Sequence, residues 1–343
     1  MKKTKDQIDR RVVVVGAGAV GSTYCYALAQ SGLAEEIIVI DKNEDLAKGQ
    51  VLDLVHGKPF YPNVNIRTGS PEDYTHAQLI VVTAGSSMKP GESRIQLLFK
   101  NTELMRSLAK EIAASGCKGV MLIVSNPVDV LTYVALQSSG WENGRVIGSG
   151  TVLDSARFRY LLGQHCGVDV HNVHAYILGE HGDSEFAAWS MTNIAGINID
   201  KYCPVCEKCS NWMEEREKIV QEVRDSAYHI INYKGSTQYG VGMALIRITE
   251  AILRKQKSIL SVSTLLTGEY GIRNVCLSVP CIVSSHGVER IVRSPLLKSE
   301  TEALRRSASV LVKALMVQPS LVQQSQVGGT CTNNPGRQTD ISS

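Results

Sequence analysis

No stretch of this sequence approaches the ~18 consecutive apolar residues that a membrane-crossing helix needs. An excess of one charge is also missing: 36 Lys+Arg stand against 33 Asp+Glu, a formal balance of +3. That balance removes any reason to expect nucleic acid or an anionic membrane as partner. Short repeats are lacking. Nine cysteines are an odd number, and Cys25, Cys117, Cys166, Cys276, Cys281 and Cys331 are scattered, which excludes an extracellular disulfide framework and fits reduced thiols in a cytosol. Cys203, Cys206 and Cys209 have CxxCxxC spacing, but no second CxxC or HxxxH pair follows nearby. The cluster reads as free thiols in a surface loop before a helix, and no metal is assigned. What is there, 43% apolar and 20% charged residues over 343 positions, describes a soluble, core-bearing protein. At roughly 150 residues per domain the length suggests two domains.

The amino terminus offers a competing signal. Basic MKKTKDQIDRR runs into VVVVGAGAV, and Ala27-Leu28-Ala29 resembles a cleavage site, so a twin-arginine export signal is an alternative. The glycines of that run nevertheless fall where a phosphate loop needs them.

Residues 11–150 alternate short apolar runs with helical patterns. Val12–Val15, Ile37–Ile40, Leu79–Thr83, Val120–Val124 and Arg145–Ile147 read as buried strands, separated by helices near 20–31, 43–55, 94–114 and 128–139. This alternation predicts βαβ units and a parallel sheet, with ligands at the carboxyl ends of the strands. From residue 151 the pattern changes. A helix over 151–165, an antiparallel strand over Asn172–Leu178, helices near 211–232 and 241–254, strands Ile259–Thr267 and Val275–Ser284, and a helix over Ser299–Met316 describe a separate α+β domain. The fold expected is α/β: a doubly wound Rossmann sheet in residues 1–150, an α+β catalytic domain in 151–327, and a polar, mobile tail in 328–343.

Val12–Val15 enters Gly16-Ala-Gly18-Ala19-Val20-Gly21, a strand followed by G-x-G-x-x-G and a helix. The glycines allow a tight turn, close approach of backbone to a diphosphate, and close helix–strand packing, while the helix amino terminus offers free N–H groups. Asp41, at the end of the second strand, can accept hydrogen bonds from ribose hydroxyls and repel a 2′-phosphate, which favours NAD over NADP. Lys42 beside it tempers that preference. FAD shares the fingerprint and stays open on this motif alone.

Three further segments carry chemical potential. Asp154 and Arg157, spaced i, i+3 at the start of a helix, share one face, either as a surface ion pair or as part of a site. His181, in Gly179-Glu-His-Gly-Asp-Ser184, follows an apolar strand and is flanked by glycines, so it reads equally as a structural or a catalytic histidine. Lys89-Pro-Gly-Glu-Ser-Arg94 is either a mobile lid or an exposed connection.

Together GAGAVG, the TAG of Thr83-Ala84-Gly85, KPGESR, Ser125-Asn126-Pro127, LDSARFR and GEHGDS resemble the lactate/malate dehydrogenase family, its L-lactate dehydrogenase branch in particular, from Arg11 to about Leu315. The resemblance implies a cytoplasmic NAD-dependent oxidoreductase of glycolytic fermentation. By it, Arg157 binds the substrate carboxylate, His181 is the general acid/base, Asp154 fixes the imidazole, Arg94 polarises the carbonyl, and Asn126 and Thr237 line the pocket. The cofactor is held by Gly16, Gly18, Ala19, Val20, Gly21, Asp41, Thr83, Ala84, Gly85, Ser125 and Asn126. The residue reading the substrate's far end falls at Met88, where the family carries glutamine or arginine. A thioether leaves a second carboxylate desolvated and unpaired, so oxaloacetate is disfavoured, and pyruvate or a longer 2-oxo acid is expected. A shifted lid could present Lys89 instead. Arg159 and His174 match positions that bind fructose 1,6-bisphosphate as an activator, across a twofold axis of a homotetramer. The alternatives are a 2-hydroxyisocaproate-type dehydrogenase and a dinucleotide-binding protein without turnover.

Overall fold

The computed structural model describes residues 9–86, 93–206 and 211–316. Five short runs of β-branched and aliphatic residues and one more polar run form six parallel strands: β1 (Arg11–Val15), β2 (Glu36–Ile40), β3 (Asn65–Thr68), β4 (Leu79–Val82), β5 (Val120–Ile123) and β6 (Val146–Gly148). They lie in the order β3-β2-β1-β4-β5-β6, with Val12 opposite both Ile37 and Leu79. Every residue of β1, β4, β5 and β6 is buried, as expected of strands covered on both faces. The crossovers carry α1 (Ala19–Ser31), α2 (Glu44–His56), α3 (Arg94–Ala114) and α4 (Val128–Ser139). Local chemistry starts these helices. The Asn43 side chain accepts the Leu46 N–H ahead of acidic Glu44 and Asp45, and Ser93 forms a reciprocal capping box with Gln96.

The remaining chain contributes α5 (Val152–Cys166), short strands β7 (Val173–His174), β8 (Ile177–Leu178), β9 (Phe186–Ala187), β10 (Asn193–Ile194) and β11 (Ile197–Asn198), then α6 (Ile199–Cys206), α7 (Trp212–Lys234) and α8 (Tyr239–Leu253). Long antiparallel strands β12 (Ser258–Thr267), β13 (Arg273–Ser284) and β14 (Gly287–Ile291) precede α9 (Lys298–Met316). These three strands extend the parallel sheet instead of forming a sheet of their own. Ser263 of β12 bridges to Gly148 of β6, so one nine-stranded sheet runs through both halves. An uncovered β6 edge would leave its backbone unpaired, and β12 closes it. One apolar core accordingly extends from Val12 and Ile80 to Val262 and Val279. A second core packs Phe158 edge-on to Trp189, with ring centroids 5.0 Å apart, beside Ile199 and Val223.

Other departures have physical reasons. The strand expected over Asn172–Leu178 splits, because β7 pairs with β10 and β8 pairs with β9. Edge strands β3 and β14, absent from the sequence reading, are half polar and lack an apolar run. Arg11 is not a surface residue. It is 1% exposed and its Nε lies 2.5 Å from Glu36, which also accepts from Arg67 at 3.0 Å. Cys203 is not in a surface loop either. It is buried on α6, with its Sγ 3.6 Å from His165 Nε2. Cys209, Met88 and Lys89 of the expected lid, and the residues from 328 onward lie outside the described residues.

Candidate active site

The carboxyl ends of β1, β2, β4, β5 and β6 gather on one edge of the parallel sheet. After β1 the chain turns at Gly16, whose φ of 108° suits glycine alone. A side chain at Gly21 would run into the Gly16 carbonyl, so α1 sits directly against the turn. A Cβ at Gly18 meets nothing within 4 Å. This open side, next to the α1 amino terminus with no acidic residue in the first turn, is the concavity a diphosphate needs. Thr83 braces the turn from the neighbouring strand by donating to the Gly16 carbonyl at 2.9 Å. Asp41 takes the Ala17 N–H at 2.7 Å and the Asn43 N–H at 2.8 Å. A carboxylate has about four lone-pair sites, so ribose hydroxyls can still be accepted.

The loops after β4 and β5 are tied together. The Ser125 hydroxyl donates to the Ala84 carbonyl at 2.6 Å. Asn101 of α3, buried and not singled out from sequence, accepts the Ser86 N–H at 2.8 Å and donates to the Asn126 carbonyl at 3.2 Å. Ala19 and Gly85 are exposed around the same edge.

A cavity of about 170 Å³ opens between the two halves, lined by Val20 and Asn126 on one side and by Arg157, His181 and Thr237 on the other. Five residues predicted from separate segments thus line one cavity. Ala227 and Ile231 of α7 complete it; the sequence reading saw that helix as amphipathic but not as a pocket wall.

Beneath the cavity lies a charged stack. Asp154 is buried in the first turn of α5, and its two oxygens are divided. One accepts from Arg157 Nη1 at 2.8 Å and the other lies 2.6 Å from His181 Nδ1. Burial alone would pull the His181 imidazole down, but the Asp154 carboxylate outweighs it and pushes the ring up to about 9. Burial likewise opposes ionisation of Asp154, yet the imidazole and guanidinium hold its carboxyl below the ordinary range. The ring's other nitrogen, Nε2, has no partner among the described residues.

Two further acids surround the histidine. Asp129, 2% exposed at the start of α4, accepts the His181 backbone N–H at 2.8 Å and the Ser263 hydroxyl at 2.6 Å. Burial pushes its carboxyl up to about 6. Glu185, 4% exposed, places a carboxylate oxygen within 4.8 Å of ligand atoms of both Asp154 and His181. The only sign of Glu185 in the sequence is its place four positions after His181, and of Asp129 its place after Asn126-Pro127. Arg94 begins α3, close after residues 87–92, which lie outside the described residues.

An open glycine turn at the tip of a doubly wound sheet, beside a buried Asp–His pair and a guanidinium, defines a nucleotide-dependent oxidoreductase. Family models agree in both halves. Residues 10–148 match the lactate/malate dehydrogenase NAD-binding domain, and residues 151–318 match its α/β C-terminal domain. The chain belongs to the lactate/malate dehydrogenase family. It is 59% identical over 311 residues to an L-lactate dehydrogenase of Treponema denticola, covering 90% of this chain and 98% of the relative. It is 49% identical over 306 residues to an L-lactate dehydrogenase of Acetivibrio thermocellus, covering 89% and 96%. Among solved structures, a lactate dehydrogenase from a Medee basin deep-sea metagenome library superposes with a TM-score of 0.88 at 44% identity, covering 90% and 99%. The minor L-lactate dehydrogenase of Enterococcus mundtii in its ligand-bound form gives 0.86 at 40%, covering 89% and 97%.

Proposed function

We propose that this chain is an NAD-dependent L-lactate dehydrogenase, with residues 1–150 holding the cofactor and residues from 151 onward handling the 2-oxo acid. The observation that carries the reading is the cavity shared by Asn126, Arg157, His181 and Thr237 above the buried Asp154. When bound, NADH supplies the hydride; the cradle at Gly16, Gly18 and Gly21 with Ala19, Val20, Asp41, Thr83, Ala84, Gly85 and Ser125 would hold it. Arg157 spends one terminal nitrogen on Asp154 and keeps the rest of its planar fork for a carboxylate, a geometry lysine cannot copy. Protonated His181, which lines the cavity, donates the proton that the ketone oxygen gains on reduction; neutral, it takes the hydroxyl proton on oxidation. Asp154 keeps the ring in one orientation and stabilises its cationic form. Arg94 is assigned to the developing oxyanion and Asn126 to the reacting oxygen.

Met88 at the specificity position favours pyruvate over oxaloacetate, with tolerance for longer aliphatic 2-oxo acids. A substrate panel ranks them by kcat/KM: pyruvate first is expected, and oxaloacetate first refutes the assignment. We further propose activation by fructose 1,6-bisphosphate in a cytoplasmic homotetramer. Arg159 and exposed His174 line one cavity of about 460 Å³, together with Arg247. Arg159 already gives Nε to the Val173 carbonyl at 2.8 Å, so it is held in place for an anion. A pyruvate KM and a tetramer population that saturating effector leaves unchanged would reject this part.

A further inference from the structure

Glu185 is a buried acid that the mechanism above leaves idle. A turn closed by its N–H on the Gly182 carbonyl at 3.1 Å folds it back from the histidine loop, just before β9. Its side chain then lies within 4.8 Å of the ligand atoms of Asp154 and His181. Among the described residues its carboxyl has no hydrogen-bond partner. The nearest guanidinium on α7, Arg224, gives Nη2 to the Glu185 backbone carbonyl at 2.9 Å, and its buried Nε is unpartnered. On α5, Asp154 repels a second negative charge, while Arg157 gives Nη1 to Asp154 and acts on Glu185 only as a nearby positive charge. A metal ion among Asp154, His181 and Glu185 has little to bind, because guanidinium and imidazole already take the two Asp154 oxygens.

Given that His181 is the acid/base, as proposed above, we propose that Glu185 is a positioning residue for the histidine's proton: buried beside the Asp154–His181 pair, it supplies on ionising the charge that keeps the imidazole protonated. Two acids this close cannot both carry charge cheaply in a buried site, and Asp154 has the better partners. Burial and then the Asp154 carboxylate push the Glu185 carboxyl up to about 8, and the Glu185 charge is among those that raise the imidazole. Once ionised, the carboxylate stands beside the imidazole, and its charge delays loss of the imidazole proton. Asp129 on α4 adds a further acid near His181, accepting its backbone N–H at 2.8 Å.

The test is the pH dependence of pyruvate reduction by Glu185→Gln, whose amide matches the neutral acid in shape. The alkaline fall in kcat/KM should move about one pH unit lower than in the unmodified enzyme. Limbs that superimpose overturn the inference while leaving the functional reading intact. An unmodified enzyme that reduces no pyruvate overturns the functional reading itself. Should the variant fail to fold, the His181 ring resonance of the unmodified enzyme decides by NMR. Two inflections across pH 7–10 are expected, and a single inflection contradicts the coupling.

Discussion

At the nucleotide edge of the sheet the protein works with backbone: Gly16 turns through a positive φ, Gly18 leaves open space, and α1 begins without a charged side chain. Across the cavity it works with buried charge, where Asp154 divides its oxygens between Arg157 and His181 while Asp129 and Glu185 stand behind. Both regions must accept an anion, and they do so differently. A diphosphate needs many weak donors and room, which a turn and a helix end provide at no desolvation cost. A reacting ketone needs a proton and one oriented cation in a dry place, which demands side chains whose burial is offset by pairing. Damage to the first region should therefore appear in cofactor affinity, and damage to the second in turnover and pH dependence.

The largest effect should come from Asp154→Asn. Loss of the carboxylate leaves burial to depress the imidazole, so the alkaline fall in pyruvate reduction moves from about pH 9 towards acid pH. Turnover drops by about 10²- to 10³-fold at neutral pH. The sign is fixed: reduction needs the protonated ring, so it is lost as pH rises, whereas lactate oxidation gains through the same range. Arg157→Lys keeps the charge but loses the fork, and pyruvate kcat/KM should fall roughly 10- to 100-fold with NADH affinity unchanged. Gly18→Ala should fold normally, since its Cβ meets nothing within 4 Å, yet weaken NADH binding by about tenfold as seen in fluorescence titration. If pyruvate turnover fell and NADH affinity did not, the contrast between the two regions would be broken. Ser263→Ala should act least on catalysis. It removes the hydroxyl bonded to buried Asp129 at 2.6 Å, costing about 1–3 kcal/mol of stability in denaturant melts, with only a few-fold change in kcat.

The same contrast governs what could be read in advance. The glycine turn and Asp41 were legible because one contiguous segment carries the whole pattern, and the parallel strands because burial on both faces imposes apolar runs on them. His181 and Asp154 were legible only as ambiguous fragments. Nothing local distinguishes a surface ion pair from one that meets an imidazole 27 positions away. Asp129, Glu185 and Asn101 were not legible, because their burial is set by β12, α7 and the β5 loop rather than by their neighbours in sequence. The joining of β12 to β6 escaped notice for a similar reason, since an edge pairing held by a single bridge leaves no periodicity. Helix α6 was hidden by its cysteines, which drew attention to metal spacing instead of helical phase.

The most direct measurement compares pyruvate-dependent NADH oxidation by the unmodified protein and by His181→Asn, with NADH affinity measured for both. The account predicts turnover in the first, a loss of about 10²- to 10⁴-fold in the second, and equal cofactor affinity. Undiminished turnover in His181→Asn would contradict it.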